Sequence, residues 1–267
     1  MLWIDYIMKN YHTHTFRCKH ASGDVKDYVK VAIENGITVL GISDHTPLPD
    51  NRWLNVRMHF SELGNYVNAI ISAKSEFTQI KILKGMECEY AKEYHSFYQE
   101  KLLGEYGFDY LIGAPHYFTD GNEWKNTYGD LVHGKDLIAY GNYVVESMQS
   151  GLFRFIAHPD LFGNSYLPWD ENTIACSKDI LQAAEELKIP LEINGLGFRK
   201  PRVNSPKGKR RMYPLDEFWE LASGYNISVV LNSDAHRPQD VAASIDKGLA
   251  MAQKYQLKIA DLADLEE

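Results

Sequence analysis

The chain has 267 residues, 45% hydrophobic and 24% charged, with a formal net charge of −8; no stretch approaches the roughly 20 apolar residues that span a bilayer. The acidity disfavours non-specific binding to nucleic acid or to acidic membranes, and the opening MLWIDYIMKN carries an acid and lacks a small-residue cleavage site, so it does not read as a secretory signal. Three widely spaced cysteines, Cys18, Cys88 and Cys176, argue against a disulfide framework and for a reducing cytoplasm.

Apolar strand-like runs alternate with helical spacing along the whole chain. The first run, YIMKNYH (6–12), precedes GDVKDYVKVAIENG, where Val25, Tyr28, Val29, Ala32 and Ile33 share one face between a predicted N-cap at Asp24 and a stop at Gly36. ITVLGIS (37–43) leads into a helix over 60–77, and KILKGMEC (81–88) is followed by FDYLIGAP (108–115). A helix within 130–150 precedes FRFIAH (153–158), and one over 173–188 precedes PLEING (190–195). The last units are a helix over 214–226, the strand ISVVLNSD (227–234) and a helix over 239–256. Seven strands alternating with helices predict right-handed βαβ units and a parallel sheet, in one domain closed as a (β/α)7 barrel. A doubly wound open sheet is the alternative, but its G-x-G-x-x-G turn is missing after the first strand.

On this map the polar residues collect at strand ends. His12 and His14 close the first strand, with His20 just beyond; Asp44 and His45 close the second, Glu87 the third, His116 the fourth, His158 the fifth, and Asp234 with His236 the seventh. A parallel barrel opens all these ends on one face, where active sites are built. One strand-end histidine is usually a satisfied polar residue or a cap. Seven on one face, out of ten in the chain, would be costly to bury without partners. Imidazole and carboxylate suit zinc, manganese or iron, and the count exceeds one tetrahedral ion, so a polynuclear metal centre is expected. His59, His95 and His133 fall on predicted helices or loops and are assigned to the surface. Cys18 reads as a buried filler in preference to a thiolate ligand, and Asp44 either binds metal or orients a neighbouring ligand. Glu192 and Asn194 end the sixth strand and are expected to shape the pocket or hold substrate.

HTHTFRCKHASGD, GISDHTPLP, KGMECEY, IGAPHYF, AHPDLF, LEINGLGFRK and NSDAHRPQD occur in the order of the polymerase and histidinol phosphatase (PHP) family, and the match is closest to its monofunctional histidinol-phosphate phosphatases. The resemblance spans residue 12 to about 240. It implies a distorted (β/α)7 barrel with three divalent ions. The first ion resembles one held by His12, His14, Glu87 and Asp234, the second one held by Glu87, His116 and His158, and the third one held by His20, His45 and His236. It also implies hydrolysis of a small phosphate monoester, L-histidinol phosphate, by a metal-bridging hydroxide on the Glu87 pair, with Asp234 accepting the proton. Arg199 matches a G-x-R element and is expected to clamp the phosphate; Asp160, Tyr117 and Asn194 follow strand ends and are candidates for substrate contact. Strand six reads EINGLGFRK where relatives often carry a threonine-serine pair, a departure on the substrate side of the pocket. A nuclease-like or phosphotyrosine-directed hydrolase of the same chemistry is the alternative; the absence of a basic stripe with interleaved aromatics disfavours a nuclease. A metal-dependent binding module is disfavoured by the complete ligand set with its bridging carboxylate.

Overall fold

The computed structural model describes residues 8–265. Residues 6–7 of the predicted first strand lie outside that range. Eight parallel strands run in sequence order: β1 (Lys9–Asn10), β2 (Val39–Ile42), β3 (Lys81–Cys88), β4 (Tyr110–Gly113), β5 (Phe155–Ile156), β6 (Leu191–Asn194), β7 (Ser228–Asn232) and β8 (Lys258–Ile259). The last was not expected from sequence, because two residues carry no periodic signal. Among the described residues it pairs with the start of β7, at Ser228 and Val229. Beyond the end of β7, the chain instead meets the segment after β1 through a parallel bridge between Thr13 and Ala235. The sheet therefore closes at the C-terminal end of its strands, and at the other end β8 lies beside β7 as the edge strand. This is a distorted α/β barrel.

Helices α1 (Val25–Glu34), α2 (Leu63–Glu76), α3 (Gly134–Gln149), α4 (Glu171–Leu187), α6 (Asp216–Ala222) and α7 (Ile245–Lys254) occupy the predicted places, with a short α5 (Gly195–Arg199) directly after β6. Asp24 caps α1 in a capping box with Asp27, as its position ahead of the apolar face suggests. A π-helical segment over Phe97–Glu105 links β3 to β4, and short hairpins form over Tyr117–Asp120 with Glu123–Asn126 and over Val203–Ser205 with Gly208–Arg210. None of these was predicted. No described helix is long and apolar enough to cross a membrane. All three cysteines are buried and free.

Side-chain alternation carries the strands into the site. Tyr110, Ile112 and Ala114 point into the barrel with Val39, Leu83, Phe155 and Val230, while Leu40, Leu111, Val229 and Leu231 pack against the helices. Tyr110 fills the interior and donates to Tyr11 O at 2.5 Å. Gly41 and Gly85 make room for it: a Cβ added there would sit 1.9 Å from the Tyr110 hydroxyl and 2.4 Å from its Cζ. Continued two residues at a time, the same parity brings His45, Glu87, Glu89, His116 and Asp234 over this plug.

Candidate metal centre

Seven histidines and two carboxylates converge above the barrel plug. Glu87 is the hub, 1% exposed. Its Oε1 lies 3.2, 3.4 and 3.1 Å from Nε2 of His12, His116 and His158, and its Oε2 lies 2.9 Å from His45 Nδ1 and 3.4 Å from His14 Nε2. The two oxygens thus face different sets of imidazoles. Asp234 Oδ1 faces His14 Nε2 at 3.2 Å, His236 Nδ1 at 3.4 Å and His12 Nε2 at 3.7 Å. At the outer edge His20 Nε2 and His236 Nε2 are 3.0 Å apart, as are the Nε2 atoms of His12 and His14 deeper down. Two nitrogens on one tetrahedral ion, each about 2.0–2.1 Å from it, stand roughly 3.3 Å apart. The paired imidazoles are spaced as co-ligands.

Hydrogen bonding gives an independent test of fit to a cation. Of the atoms that face the shared space, His45 Nδ1, Glu87 Oε2 and Asp234 Oδ1 are buried and make no aligned hydrogen bond. Buried polar atoms are rarely left this way, and an imidazole nitrogen and two carboxylate oxygens left so together fit divalent ions. Groups whose ligand atoms lie within 4.8 Å of one another include His12, His14 and Glu87, as well as His14, His45 and His236. Burial holds the His14 and His45 imidazoles below their ordinary pKa, and it lowers His20 to about 4 and His236 to about 3. All four present free lone pairs at neutral pH. Burial also opposes a charge on His12, but Glu87, Glu192 and Asp234 outweigh it and raise that group well above 6.5. For Glu87 and Asp234 burial favours the neutral acid; the surrounding imidazoles, led by His12, reverse this and keep both well below the carboxylate range.

Two residues of the cluster sit on strained backbone. His158 has φ 32° and Asp234 φ 48°, in the left-handed region. Such residues cost about 1–3 kcal/mol and cluster at functional sites. The turns reorient each side chain where its strand ends.

The supporting contacts explain several side chains and correct some expectations. Glu192 neither lines the pocket nor waits for substrate: its Oε1 takes His12 Nδ1 at 2.8 Å, which presents Nε2 to the site. Asp44 accepts from Thr15 N at 2.8 Å and Thr15 Oγ1 at 2.6 Å, so it orders the His12–His20 segment. Cys18 is fully buried, and burial raises its thiol pKa, as suits a filler. Asn194, expected near substrate, is spent behind the site. It donates to Glu192 Oε2 at 2.7 Å and Asp234 Oδ2 at 3.0 Å and caps α5 through Gly197 N. Asp160, also expected near substrate, is buried and accepts from Leu215 N at 2.6 Å; it ties two loops together. Arg199 does not clamp an anion here. Its guanidinium donates to Ser233 O at 2.8 Å, Asp234 O at 3.3 Å and Ala243 O at 3.0 Å, because α5 begins directly after β6 and turns the side chain onto the chain leaving β7. His59 and His133 are exposed and His95 half-buried, away from the cluster.

A cavity of about 400 Å³ opens onto the cluster, lined further out by Arg57, Tyr117, Asn126, Tyr128, Leu196 and Lys200. Tyr117, alone of the four substrate-side candidates, lies on its wall, stacked on Trp53 at 4.0 Å between ring centroids. Arg57 and Glu89 escaped sequence reasoning. The E-C-E alternation at 87–89 was the available signal for Glu89; Arg57 sits in a loop with none.

The PHP domain pattern matches residues 10–195. A probable histidinol-phosphatase of Deinococcus radiodurans is 31% identical over 240 residues, covering 86% of each chain. One of Schizosaccharomyces pombe is 26% identical over 259 residues, covering 86% of this chain and 81% of its own. Among solved structures, a histidinol phosphate phosphatase from Lactococcus lactis complexed with zinc, L-histidinol and phosphate superposes with a TM-score of 0.74 at 18% identity, covering 97% of this chain and 98% of its own; this is a likeness of fold. On sequence match and architecture together, the chain belongs to the PHP domain family.

Proposed function

We propose that the chain is a metal-dependent phosphomonoesterase that hydrolyses L-histidinol phosphate to L-histidinol and phosphate, a step of histidine biosynthesis. The observation that carries this reading is Glu87, a buried carboxylate within 3.4 Å of five imidazoles, in a chain 31% identical to a probable histidinol-phosphatase. Three divalent ions, of zinc, manganese or iron, are assigned to His12, His14, Glu87 and Asp234; to Glu87, His116 and His158; and to His20, His45 and His236. When bound, such ions supply an activated water near neutral pH and positive charge against the phosphoryl oxygens.

The protein's own groups serve the same reaction. Glu87 and Asp234 stay ionised among the imidazoles, and Asn194 holds Asp234 Oδ2 so that Oδ1 faces His12, His14 and His236, from where the carboxylate would hold an ion and relay a proton of its water. The cavity suits a small substrate, and Tyr117, Tyr128 and Leu196 offer flat apolar walls to an imidazole. Lys200 brings a cation to the mouth. The test is a panel of phosphorylated metabolites with purified protein. Histidinol phosphate should exceed simple aryl phosphates in kcat/KM by a large factor. Equal turnover of phosphodiesters or phosphotyrosine peptides would replace the substrate assignment.

A further inference from the structure

A buried charge chain runs behind His116. Arg57 and Glu89 are each 1% exposed. Arg57 grips the carboxylate with both terminal nitrogens, Nη1 to Oε2 at 2.8 Å and Nη2 to Oε1 at 2.9 Å, and Nη1 also donates to Thr46 O at 2.8 Å. Glu89 Oε1 in turn meets His116 Nδ1 at 3.0 Å. His116 Nε2 is left facing Glu87 Oε1 at 3.4 Å. Stability alone does not account for such a pair, since buried ion pairs are often replaced by packed apolar residues at no loss. What the pair does supply is direction. A guanidinium fork fixes the plane of the carboxylate, and a fixed carboxylate fixes the imidazole it accepts from. The carboxylate behind His12 is held differently: besides His12 itself, Glu192 is met by the amides of Asn194 and Asn232 and by His158 N in place of a guanidinium fork.

We propose that Arg57, acting through Glu89, is a positioning residue that sets the ring orientation and tautomer of His116 and so holds the ion of the Glu87–His116–His158 set. This rests on the ligand assignment proposed above. The test uses the double variant Arg57→Met/Glu89→Gln, which leaves no unpaired buried charge and keeps an acceptor for His116 without the fork. Full-length protein is stripped and reloaded with zinc, then with cobalt. Zinc affinity is measured by competition with a chromophoric chelator, cobalt loading by the visible d–d spectrum, and the fold by the thermal midpoint of the metal-free form. The midpoint should stay near wild type while affinity for one ion falls about 10–100-fold, the usual effect of losing an outer-shell partner. The cobalt band of that ion should shift. Arg57→Lys, which keeps the charge but loses the fork, should show a smaller loss in the same ion, and it carries the test if the double variant does not fold. Unchanged zinc affinities and an unchanged cobalt spectrum would overturn the proposal. A wild-type protein that binds no stoichiometric ion would instead overturn the ligand assignment, and this proposal with it.

Discussion

Arg199 Nη2 donates to Ser233 O at 2.8 Å and to Asp234 O at 3.3 Å, so the guanidinium holds the backbone of a residue whose φ is 48°. The left-handed turn at Asp234 aims its carboxylate at His12, His14 and His236, and Arg199 keeps that turn in place. Arg199→Ala should therefore cost roughly 1–3 kcal/mol of stability, the range for leaving buried acceptors unpaired, and should also lower metal content. Arg199→Lys should fall between, since one ammonium cannot reach three carbonyls in a fork. Denaturant unfolding with elemental analysis of the same samples checks this. Loss of kcat with wild-type stability and full metal content would restore a direct role on phosphate.

Protein purified without chelator should carry two to three equivalents of divalent metal. Glu87→Gln should lose activity together with one or both ions of the pair it joins, because one carboxylate oxygen is replaced by an NH2 group that donates and cannot ligate. Elemental analysis decides the stoichiometry; one equivalent or fewer, reproducibly, contradicts the three-ion assignment.

Metal binding should expel a proton from His12. Burial opposes charge there, but Glu87, Glu192 and Asp234 outweigh it and raise its pKa well above 6.5, which favours the protonated ring in the metal-free site. A raised pKa means that an incoming cation must displace a proton below it, and affinity of that set rises with pH. His20 and His236, lowered to about 4 and about 3, are already neutral and release none near pH 7. At His116 burial is likewise outweighed, by Glu87 and Glu89, and the pKa is raised, so calorimetric titration at pH 7 in buffers of different ionisation enthalpy should show protons released with the ions of the His12 and His116 sets and little with the outermost. Equal release for every ion would count against this assignment.

Tyr117→Ala should raise KM more than it lowers kcat. The ring lines the cavity and stacks on Trp53 at an interplanar angle of 7°, and aromatic pairs of this kind contribute about 0.5–1.5 kcal/mol. The Trp53 emission should shift as its face becomes hydrated. Unaltered KM and emission would remove Tyr117 from the substrate wall.

Much of this molecule is written in local pattern. Apolar runs separated by helical spacing announce a parallel barrel, and the strand-end histidines announce one crowded face. Two-residue parity alone carries Gly41 to His45, Gly85 to Glu87 and Ala114 to His116. What no local pattern records is which partner stands behind each ligand. Glu192 reaches His12 across 180 residues of sequence, and Arg57 reaches Glu89 across 32. The closure between Thr13 and Ala235 likewise depends on strands far apart in the chain. Arg199 turns away from the cavity because α5 starts one residue after β6, a length no periodicity reveals. Residue type and spacing determined the chemistry, because side-chain direction along a strand is a local property of the backbone. Tertiary structure decided the pairing and orientation of the charges, because those depend on how the barrel closes.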